Sequence, residues 1–370
     1  MIDPPPLRIL MTADAVGGVW QYATDLSAAL IERGHRVTLA LLGPPASPDQ
    51  RRLAARISGL QLIETGLPLD WLASRPEEVE SAAVEIAALA RSERADVVHC
   101  NTPALAGAAQ FPVPLVAVTH GCVATWWQEA RGTPLAPAFR WHREMTDRGL
   151  AAAETVVSPS AGYAAVVKQT YALSSLPLVV HNGRKPGERP REDAPQLRAA
   201  LTVGRLWDPA KNAVLLDKAA AALKVPIFAA GALGGPHGEA FAPLHLQPLG
   251  QLDDAALAAI LAHRPVFVSS ATFEPFGLAV LEAASAGCAL VLSDIPTFRE
   301  LWDGAAVFAD PADERSFAAA IAGLIDDPER RLALGKAASA RAARFTPAAV
   351  ADAMCAIYAA LLQRQEEVAA

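Results

Sequence analysis

The sequence predicts an α/β protein with two Rossmann-like domains, each built on a parallel sheet, that face each other across an interdomain cleft. Its 370 residues are too many for one ordinary core, since domains average about 150 residues. Short, nearly continuous apolar runs alternate with segments of helical periodicity, which is typical of parallel sheets covered on both faces. A polar stretch rich in Pro and charge, residues 183–195, interrupts this alternation and indicates a linker.

The first half of the chain opens with a β-α-β unit. Leu7–Met11 is an apolar run of strand length, Trp20–Arg33 has helical periodicity, and Val37–Leu42 is the next strand. Gly34 ends the helix, and a helical connection of this kind makes the two strands parallel. The alternation continues with a helix at 77–94, strands at 96–99, 115–119 and 155–158, and a helix from about residue 161.

The second half repeats the pattern. The predicted strands are 200–203, 226–230, 266–269 and 289–292, and the predicted helices are 212–223, 254–262, 277–286, 314–325, 328–344 and 347–365. We therefore predict domains at 1–183 and 197–346, joined by a linker at 184–196. Because ligands bind at the carboxyl ends of strands in open parallel sheets, functional residues are expected in the loops that follow strands.

Composition excludes several classes of protein. With 32 Lys+Arg against 39 Asp+Glu, the net charge is -7, which makes binding to nucleic-acid phosphates unlikely to be the function. The four cysteines are never arranged as C-x-x-C, and the eight histidines have no H-E-x-x-H spacing, so no metal site is expected. The N-terminus lacks the pattern of a signal peptide, and no uninterrupted apolar run approaches about 20 residues. We expect a soluble, cytoplasmic protein.

The most informative stretch is Phe273-Glu274-Pro275-Phe276-Gly277-Leu278-Ala279-Val280-Leu281-Glu282. Glu274 follows a predicted strand, and Glu282 lies eight positions later, about two turns into the next helix. Eight helical residues span about 12 Å, so the two carboxylates could address opposite ends of an extended ligand. The amides of Phe276, Gly277 and Leu278 at the helix start favour a negatively charged or hydroxyl-rich group. Alternatively, Glu274 complements only the helix dipole and Glu282 is solvated.

A second cluster follows the strand at 200–203. Arg205 and Lys211 lie on one strand-to-helix loop, which suits a diphosphate, because an Arg binds pairs of oxygens and a Lys adds a point charge. Asn212 is expected to cap the following helix. The alternative is an ordinary surface loop, since both residue types are mostly exposed.

Two weaker candidates lie in the first half. Gly17-Gly18 would let the backbone approach a phosphate or sugar, but the loop is not G-x-G-x-x-G, which disfavours a nicotinamide cofactor, and the chain has no P-loop motif. His120 directly follows a predicted strand, where a side chain projects toward a ligand. A lone histidine is equally compatible with a structural role.

Two further segments have open interpretations. The aromatic, Pro-broken segment from Trp126 to Trp141 could stack on an acceptor sugar or belong to the core. A set of basic side chains near the C-terminus could touch anionic lipid or form a solvated helix face. These are Arg330, Arg331, Lys336, Arg341 and Arg344.

Taken together, these motifs resemble the retaining glycosyltransferases of family 4, the group 1 transferases with the GT-B fold. The resemblance covers essentially the whole chain and rests on F-E-P-F-G-L-A-V-L-E-A at 273–283, G-R-L-x5-K-N at 204–212, and Asp294-Ile295-Pro296 leading to Glu300. One departure is His181-Asn182-Gly183-Arg184, where many relatives have P-N-G-V-D.

The resemblance implies roles for these residues. Arg205 and Lys211 would hold the donor diphosphate, Glu282 the ribose hydroxyls, and Glu274 with the amides of Phe276 and Gly277 the donor sugar. His120 would lie beside that sugar, and Gly17-Gly18 would make room near the phosphates and the acceptor. The terminal helix, about 347–370, would return to the first domain.

The implied activity is metal-independent transfer of a sugar from a UDP-, GDP- or ADP-linked donor to an acceptor hydroxyl, with retention of anomeric configuration by same-face attack. The nucleotide sugar is a co-substrate, and no other cofactor is expected. The acceptor, whether glycan, lipid-linked or small molecule, stays open, as does peripheral contact with the inner face of the membrane. The alternatives are a nucleotide-sugar epimerase of the same architecture and a noncatalytic sugar-nucleotide-binding subunit.

Overall fold

The computed structural model describes residues 6–185, 196–236 and 238–369. The chain divides into two units. Unit 1 comprises Met1–Gln128, Thr133–Arg184 and Thr346–Ala370, and unit 2 comprises Glu129–Gly132 and Lys185–Phe345. Residues 186–195, most of the predicted linker, lie outside the described residues.

The elements up to residue 185 alternate between strand and helix along most of their length. The strands are β1 (Arg8–Asp14), β2 (Arg36–Leu42), β3 (Leu60–Glu64), β4 (Val97–Cys100), β5 (Leu115–Val118), β6 (Thr155–Ser158) and β7 (Leu178–Val179). The helices are α1 (Gly18–Glu32), α2 (Pro48–Ala55), α3 (Pro76–Ser92), α4 (Pro103–Ala106), α5 (Val123–Arg131), α6 (Arg140–Ala152) and α7 (Ala161–Tyr171).

The second part of the chain follows the same plan. Its strands are β8 (Ala200–Val203), β9 (Ile227–Ala230), β10 (Gln247–Gly250), β11 (Val266–Ser269), β12 (Leu290–Ser293) and β13 (Ala306–Ala309). Its helices are α8 (Ala213–Ala221), α9 (Asp254–Leu261), α10 (Leu278–Ser285), α11 (Pro296–Trp302), α12 (Glu314–Ile325), α13 (Pro328–Ala342) and α14 (Pro347–Ala369).

Each unit is built on one sheet whose described strand pairs are all parallel. The sheet of unit 1 has the order β3-β2-β1-β4-β5-β6-β7, and that of unit 2 has the order β10-β9-β8-β11-β12-β13. The strand order changes direction between β1 and β4 in the first sheet and between β8 and β11 in the second. The prediction of two parallel α/β sheets is therefore confirmed.

Both faces of each sheet are covered, because the strands are apolar at successive positions. In β1, Ile9 and Met11 pack in one core cluster with α1 and α14, and Leu10 packs in another with α3. In β11, Val268 packs with α8 and α12, and Phe267 packs with α10 and α13.

Several elements differ from the sequence prediction. β1 extends to Asp14, three residues beyond the apolar run, because Thr12 and Asp14 keep pairing with β2. The elements α2, β3, α4, α5, α6, β7, β10, α11 and β13 were not predicted. β3 carries polar residues, β7 has only two residues, and β10 contains Pro248, so none shows a buried-strand pattern.

One stretch, Pro328–Glu367, is long and apolar enough to cross a membrane by length and composition alone. It comprises α13 and α14, which are separate helices with non-helical residues 343–346 between them. Val350, Met354 and Tyr358 of α14 are buried in the core of unit 1. A core helix passes the same test, so this stretch is weak evidence for a membrane span.

Candidate functional site

In unit 2 the predicted site residues follow the two strands at which the sheet changes direction. The loop 204–212 follows β8, and the loop 270–277 follows β11. A crevice at the carboxyl ends of two such strands is where open α/β sheets bind ligands.

Lys211 and Glu274 connect these two loops directly. The Lys211 ammonium donates a short hydrogen bond to Oε2 of Glu274, and the two side chains are 23% and 15% exposed. The sequence analysis did not predict this contact, because the two residues are far apart in the sequence. It places Lys211, which was predicted to bind the diphosphate, in contact with Glu274, which was predicted to bind the sugar.

The backbone around Lys211 is held in place by three hydrogen bonds. The buried Ser270 hydroxyl lies 3.0 Å from the Lys211 carbonyl oxygen, and the Thr272 amide donates to the Ala210 carbonyl at 2.9 Å. Asn212 has a φ of 54°, and its Nδ2 donates to the carbonyl of Pro311 at 2.9 Å. Asn212 occupies the N-cap of α8, as predicted, but its side chain makes no capping hydrogen bond, because it faces the loop after β13.

Arg205 is oriented by its neighbours on the same loop. Its Nη2 donates to Oδ2 of Asp208 at 2.8 Å, and its guanidinium carbon lies 5.6 Å from the centroid of the Trp207 ring. Asp208 is buried, and its Oδ1 also accepts from the Ala210 amide at 2.9 Å. With 41% of its side chain exposed, Arg205 remains accessible to a ligand.

The loop before α10 depends on a glycine. Gly277 has a φ of 92°, and a Cβ at this position would lie 3.2 Å from Phe298. The Phe276 side chain anchors the loop, since it is buried edge-on against Phe345 at 5.6 Å. The first-turn amides, including that of Leu278, have no acceptor within the helix.

The predicted spacing of the two carboxylates needs correction. α10 begins at Leu278, not at Gly277, so half of the eight steps from Glu274 to Glu282 are not helical. Glu282 is the fifth residue of α10 and is half-buried. The span of about 12 Å assumed eight helical residues and therefore does not apply.

In unit 1 the predicted residues follow β1, which lies at the change of direction, and β5, which lies beside β4. Gly17 occupies the N-cap of α1, and Gly18 is the first residue of that helix. The preceding turn is closed by Asp14, whose Oδ1 accepts from the Val16 amide at 2.9 Å. His120 follows β5 by two residues.

His120 belongs to a hydrogen-bonded cluster that the sequence analysis missed. Its Nε2 lies 2.8 Å from Oδ1 of Asn101, and its ring centroid lies 4.4 Å from that of Tyr22. Asn101 follows β4, so the same rule that selected His120 after β5 could have found it. Burial, with a smaller contribution from His99, lowers the pKa of His120 to about 3, so this imidazole is neutral at pH 7.

The cluster extends inward to α14. Nε2 of His99 lies 3.1 Å from the same Asn101 oxygen, and Nδ1 of His99 lies 2.6 Å from the hydroxyl of Tyr358. His99 and Tyr358 are fully buried. Burial lowers the pKa of His99 to about 4.

The aromatic segment begins in α5 and ends in α6, with a Pro-broken connection between them. Only residues 132–139, which contain Pro134 and Pro137, separate α5 from α6. The Trp127 ring centroid lies 5.3 Å from that of Phe139, and Trp141 stacks on the buried His142 at 3.5 Å. A role in acceptor binding stays a prediction.

The basic residues near the C-terminus do not form one solvated or lipid-facing set. Arg331 is buried and donates to the carbonyl oxygens of Leu197, at 2.7 Å, and Arg264. Arg341 donates to the Leu301 carbonyl at 3.2 Å. The two guanidinium groups therefore tie α13 to the segments at Leu197 and Arg264 and to the end of α11.

Within the three described ranges, no group of three or more His, Cys, Asp or Glu side chains is placed to hold a metal ion.

Comparison with known proteins gives consistent results. A model of Glycosyltransferase Family 4 matches residues 16–186, and a model of Glycosyl transferases group 1 matches residues 193–341. A phosphatidyl-myo-inositol mannosyltransferase from Mycolicibacterium smegmatis is 35% identical over 117 residues, which are 31% of this chain and 30% of that protein. The chain thus matches less than a third of the length of this curated relative.

Solved structures share the architecture at low sequence identity. A sucrose-phosphate synthase from Thermosynechococcus elongatus has a TM-score of 0.77 and 18% identity, with 98% of this chain and 100% of the other covered. Anabaena HepE, in complex with UDP and glucose, has a TM-score of 0.71 and 17% identity, with 96% and 100% covered. These likenesses show the fold. The two family models together span most of both units, and the chain belongs to the group 1 glycosyltransferases of the family 4 type, with the GT-B fold.

Proposed function

We propose that this protein is a retaining glycosyltransferase that moves a hexose from a nucleoside diphosphate to an acceptor hydroxyl without a metal ion. The observation that carries the proposal is the contact between Lys211 and Glu274, which joins the loops after β8 and β11. It brings a cation suited to a diphosphate within bonding distance of a carboxylate suited to sugar hydroxyls.

Arg205 and Lys211 hold the donor diphosphate. Lys211 has three N–H donors, so it can keep Glu274 and still donate to phosphate oxygens. Arg205 presents a planar fork whose orientation is set by Asp208 and Trp207. Both cations are in place before the reaction begins.

Breaking the bond between the anomeric carbon and the phosphate places negative charge on the departing diphosphate. The two cations and the first-turn amides of α10 stabilise this charge, and because they are preorganised they need little rearrangement. The acceptor hydroxyl attacks on the face that the diphosphate leaves, and a phosphate oxygen takes its proton. Glu274 orients the sugar, and Glu282 binds the ribose hydroxyls.

In unit 1 we assign His120 to the donor sugar, and Gly17-Gly18 to the phosphates and the acceptor. His120 is neutral at pH 7 and therefore acts as a hydrogen-bonding group and not as a cation. Gly17 and Gly18 give a bound sugar or phosphate access to the start of α1.

The donor is a UDP-, GDP- or ADP-linked sugar. The Anabaena structure contains UDP and glucose, and the curated mycobacterial relative is named as a mannosyltransferase, so UDP-glucose and GDP-mannose are the first to test. We place the reaction in the cytoplasm, which is consistent with the four cysteines being free thiols.

The first experiment is a thermal-shift panel of UDP-, GDP- and ADP-sugars, followed by a transfer assay with the stabilising donor. A true donor raises the melting temperature by mass action, and at 100 times its Kd it adds about 2.7 kcal/mol of stability. If no donor shifts the transition at millimolar concentration, the proposal is wrong. An epimerase would convert the donor without an acceptor, and a binding subunit would show no turnover.

Variants of the site provide the second experiment. Lys211→Met should reduce the donor-induced shift, and Glu274→Gln should lower the rate of transfer by about 100-fold or more. The matched controls are Lys218→Met on α8 and Glu329→Gln on α13, which are exposed positions in the same unit. Chelation of divalent ions should leave transfer unchanged.

A further inference from the structure

The structure assigns Asn101 as a positioning residue that fixes the tautomer of His120, with His99 and Tyr358 bracing it from the core. As a consequence, Nδ1 of His120 is bare, that is, it carries no proton, and it accepts a hydrogen bond from a ligand hydroxyl. The assigned tautomer stands on geometry alone, whereas the role of His120 toward a sugar rests on the proposed function.

The orientation of the Asn101 amide is fixed by Thr12 of β1. Nδ2 of Asn101 donates to the Thr12 carbonyl oxygen at 2.7 Å, and the Asn101 backbone amide donates to the Thr12 hydroxyl at 2.9 Å. A carbonyl oxygen can only accept, so Nδ2 must face it and Oδ1 must face the opposite side. The amide is buried and cannot exchange this partner for water.

The fixed amide oxygen determines which nitrogen of each histidine carries the proton. Oδ1 of Asn101 lies 2.8 Å from Nε2 of His120 and 3.1 Å from Nε2 of His99. Because an amide oxygen has two lone pairs and no hydrogen, both Nε2 atoms must be donors. Each neutral ring then has a bare Nδ1.

The two bare nitrogens have different surroundings. Nδ1 of His99 accepts from the Tyr358 hydroxyl at 2.6 Å, so α14 holds the inner ring in place. Nδ1 of His120 has no hydrogen-bond partner among the described residues, and its ring is partly exposed. Tyr22 packs against this ring at 4.4 Å and limits its rotation. The outer nitrogen is thus an acceptor held in one direction.

This arrangement excludes two other roles for His120 near pH 7. A ring locked with Nε2 protonated and donating to Asn101 cannot give a proton from its outer nitrogen. A charged ring would place a donor at Nδ1 and a cation beside the buried His99. A sugar hydroxyl, which can donate to Nδ1, matches the group that the structure presents.

The test is a two-dimensional NMR experiment on protein labelled with 15N at histidine, in which couplings to the ring carbon-bound protons identify Nδ1 and Nε2. His99→Gln and His120→Gln assign the signals. In the wild type at pH 7 we expect both rings to be neutral with the proton on Nε2. Protonation of His120 at Nδ1, or on both nitrogens, overturns the inference.

Two variants test the cause. In Asn101→Leu, His120 should populate both tautomers, and turnover should fall about tenfold, the effect of about 1.4 kcal/mol, while the KM for the donor changes less. An unchanged tautomer refutes the role of Asn101. Asn101→Asp keeps an oxygen acceptor toward both Nε2 atoms, because its second oxygen, protonated, can donate to the Thr12 carbonyl, and it keeps the experiment usable if the Leu variant does not fold. In this variant His120 should keep its proton on Nε2, and a proton found on Nδ1 alone overturns the inference.

The role of the Tyr358 hydroxyl in holding His99 is tested by its removal. In Tyr358→Phe the Nδ1 signal of His99 should move to that of an imine nitrogen without a hydrogen bond. Tyr163→Phe is the matched control, because it removes a buried hydroxyl from the same unit that bonds Thr125 instead. An unchanged Nδ1 signal of His99 in Tyr358→Phe refutes this role of Tyr358. If no nucleotide sugar is a substrate, the proposed function fails while these spectra still decide the tautomers.

Discussion

Breaking the contact between Lys211 and Glu274 should affect stability and catalysis by separable amounts. The two side chains are 23% and 15% exposed, so the burial of this ion pair lies between that of exposed pairs and that of fully buried pairs. Exposed pairs contribute about 0.2–1 kcal/mol, and removal of one partner of a buried pair costs about 3–5 kcal/mol. For this intermediate burial we expect a coupling free energy of about 1–2 kcal/mol.

The assay is a double-mutant cycle measured by urea unfolding. Lys211→Met and Glu274→Gln should each lower the free energy of unfolding, and the double variant should lose less than the sum of the two. The exposed pair Arg51 and Glu64, joined at 2.6 Å in unit 1, is the control cycle and should give a smaller coupling. A coupling below about 0.3 kcal/mol would refute the assignment of a specific ion pair.

The same variants separate the two catalytic roles. Lys211→Met should weaken binding of the free nucleoside diphosphate about tenfold, since a charge-assisted hydrogen bond contributes about 1.5–3 kcal/mol. Glu274→Gln should leave this affinity nearly unchanged and lower turnover by about 100-fold or more, the cost of losing one preorganised polar group at the reacting centre. Equal effects on both quantities in both variants would contradict the division of roles.

Three other predictions follow from single positions. Gly231→Ala should destabilise unit 2 by more than about 3 kcal/mol, because its Cβ would lie 1.8 Å from the Gly204 carbonyl oxygen; a loss below about 1 kcal/mol in urea unfolding would contradict this. Burial lowers the folded-state pKa of His99 to about 4 and that of His120 to about 3, below the usual value near 6.5. The contribution of these neutral rings to the free energy of unfolding is therefore complete above pH 6.5 and is lost as the pH falls. His99→Gln should therefore reduce the measured decline in the free energy of unfolding between pH 6.5 and 4. Burial raises the pKa of Asp70 to about 6, so its contribution has the opposite sign and is lost as the pH rises through 6. Asp70→Asn should raise the melting temperature at pH 7 and not at pH 4, and an equal shift at both values would count against it.

The sequence was sufficient for the fold because the determining pattern is local. Apolar runs such as Val97–Cys100 and Val266–Ser269 are buried on both faces, and such runs can be recognised without knowledge of their neighbours. Two of the elements that were missed, β3 and β7, lack this signal. β3 (Leu60–Glu64) lies at the edge of its sheet and contains the polar residues Gln61 and Glu64, and β7 (Leu178–Val179) has two exposed residues.

The loops of the candidate site could be predicted, but their pairing could not. The rule that ligands lie after strands selected Arg205, Lys211, Glu274 and His120. The partner of Lys211 depends on which two strands are neighbours, and the order β8-β11 is a property of the folded sheet and not of sequence spacing. Asn212 shows the limit of a local rule, since its side chain bonds the Pro311 carbonyl in preference to capping α8.

The position of His120 illustrates how a site residue acquires its chemistry from residues that carry no motif. Its identity and its place after β5 are visible in the sequence, but its protonation depends on Asn101, whose amide is oriented by Thr12 of β1. That orientation exists because β4 lies between β1 and β5, where the sheet changes direction. A chain with the same residues after its strands but another strand order would not place these groups together. The strand order is therefore part of what makes this imidazole an acceptor and not an acid.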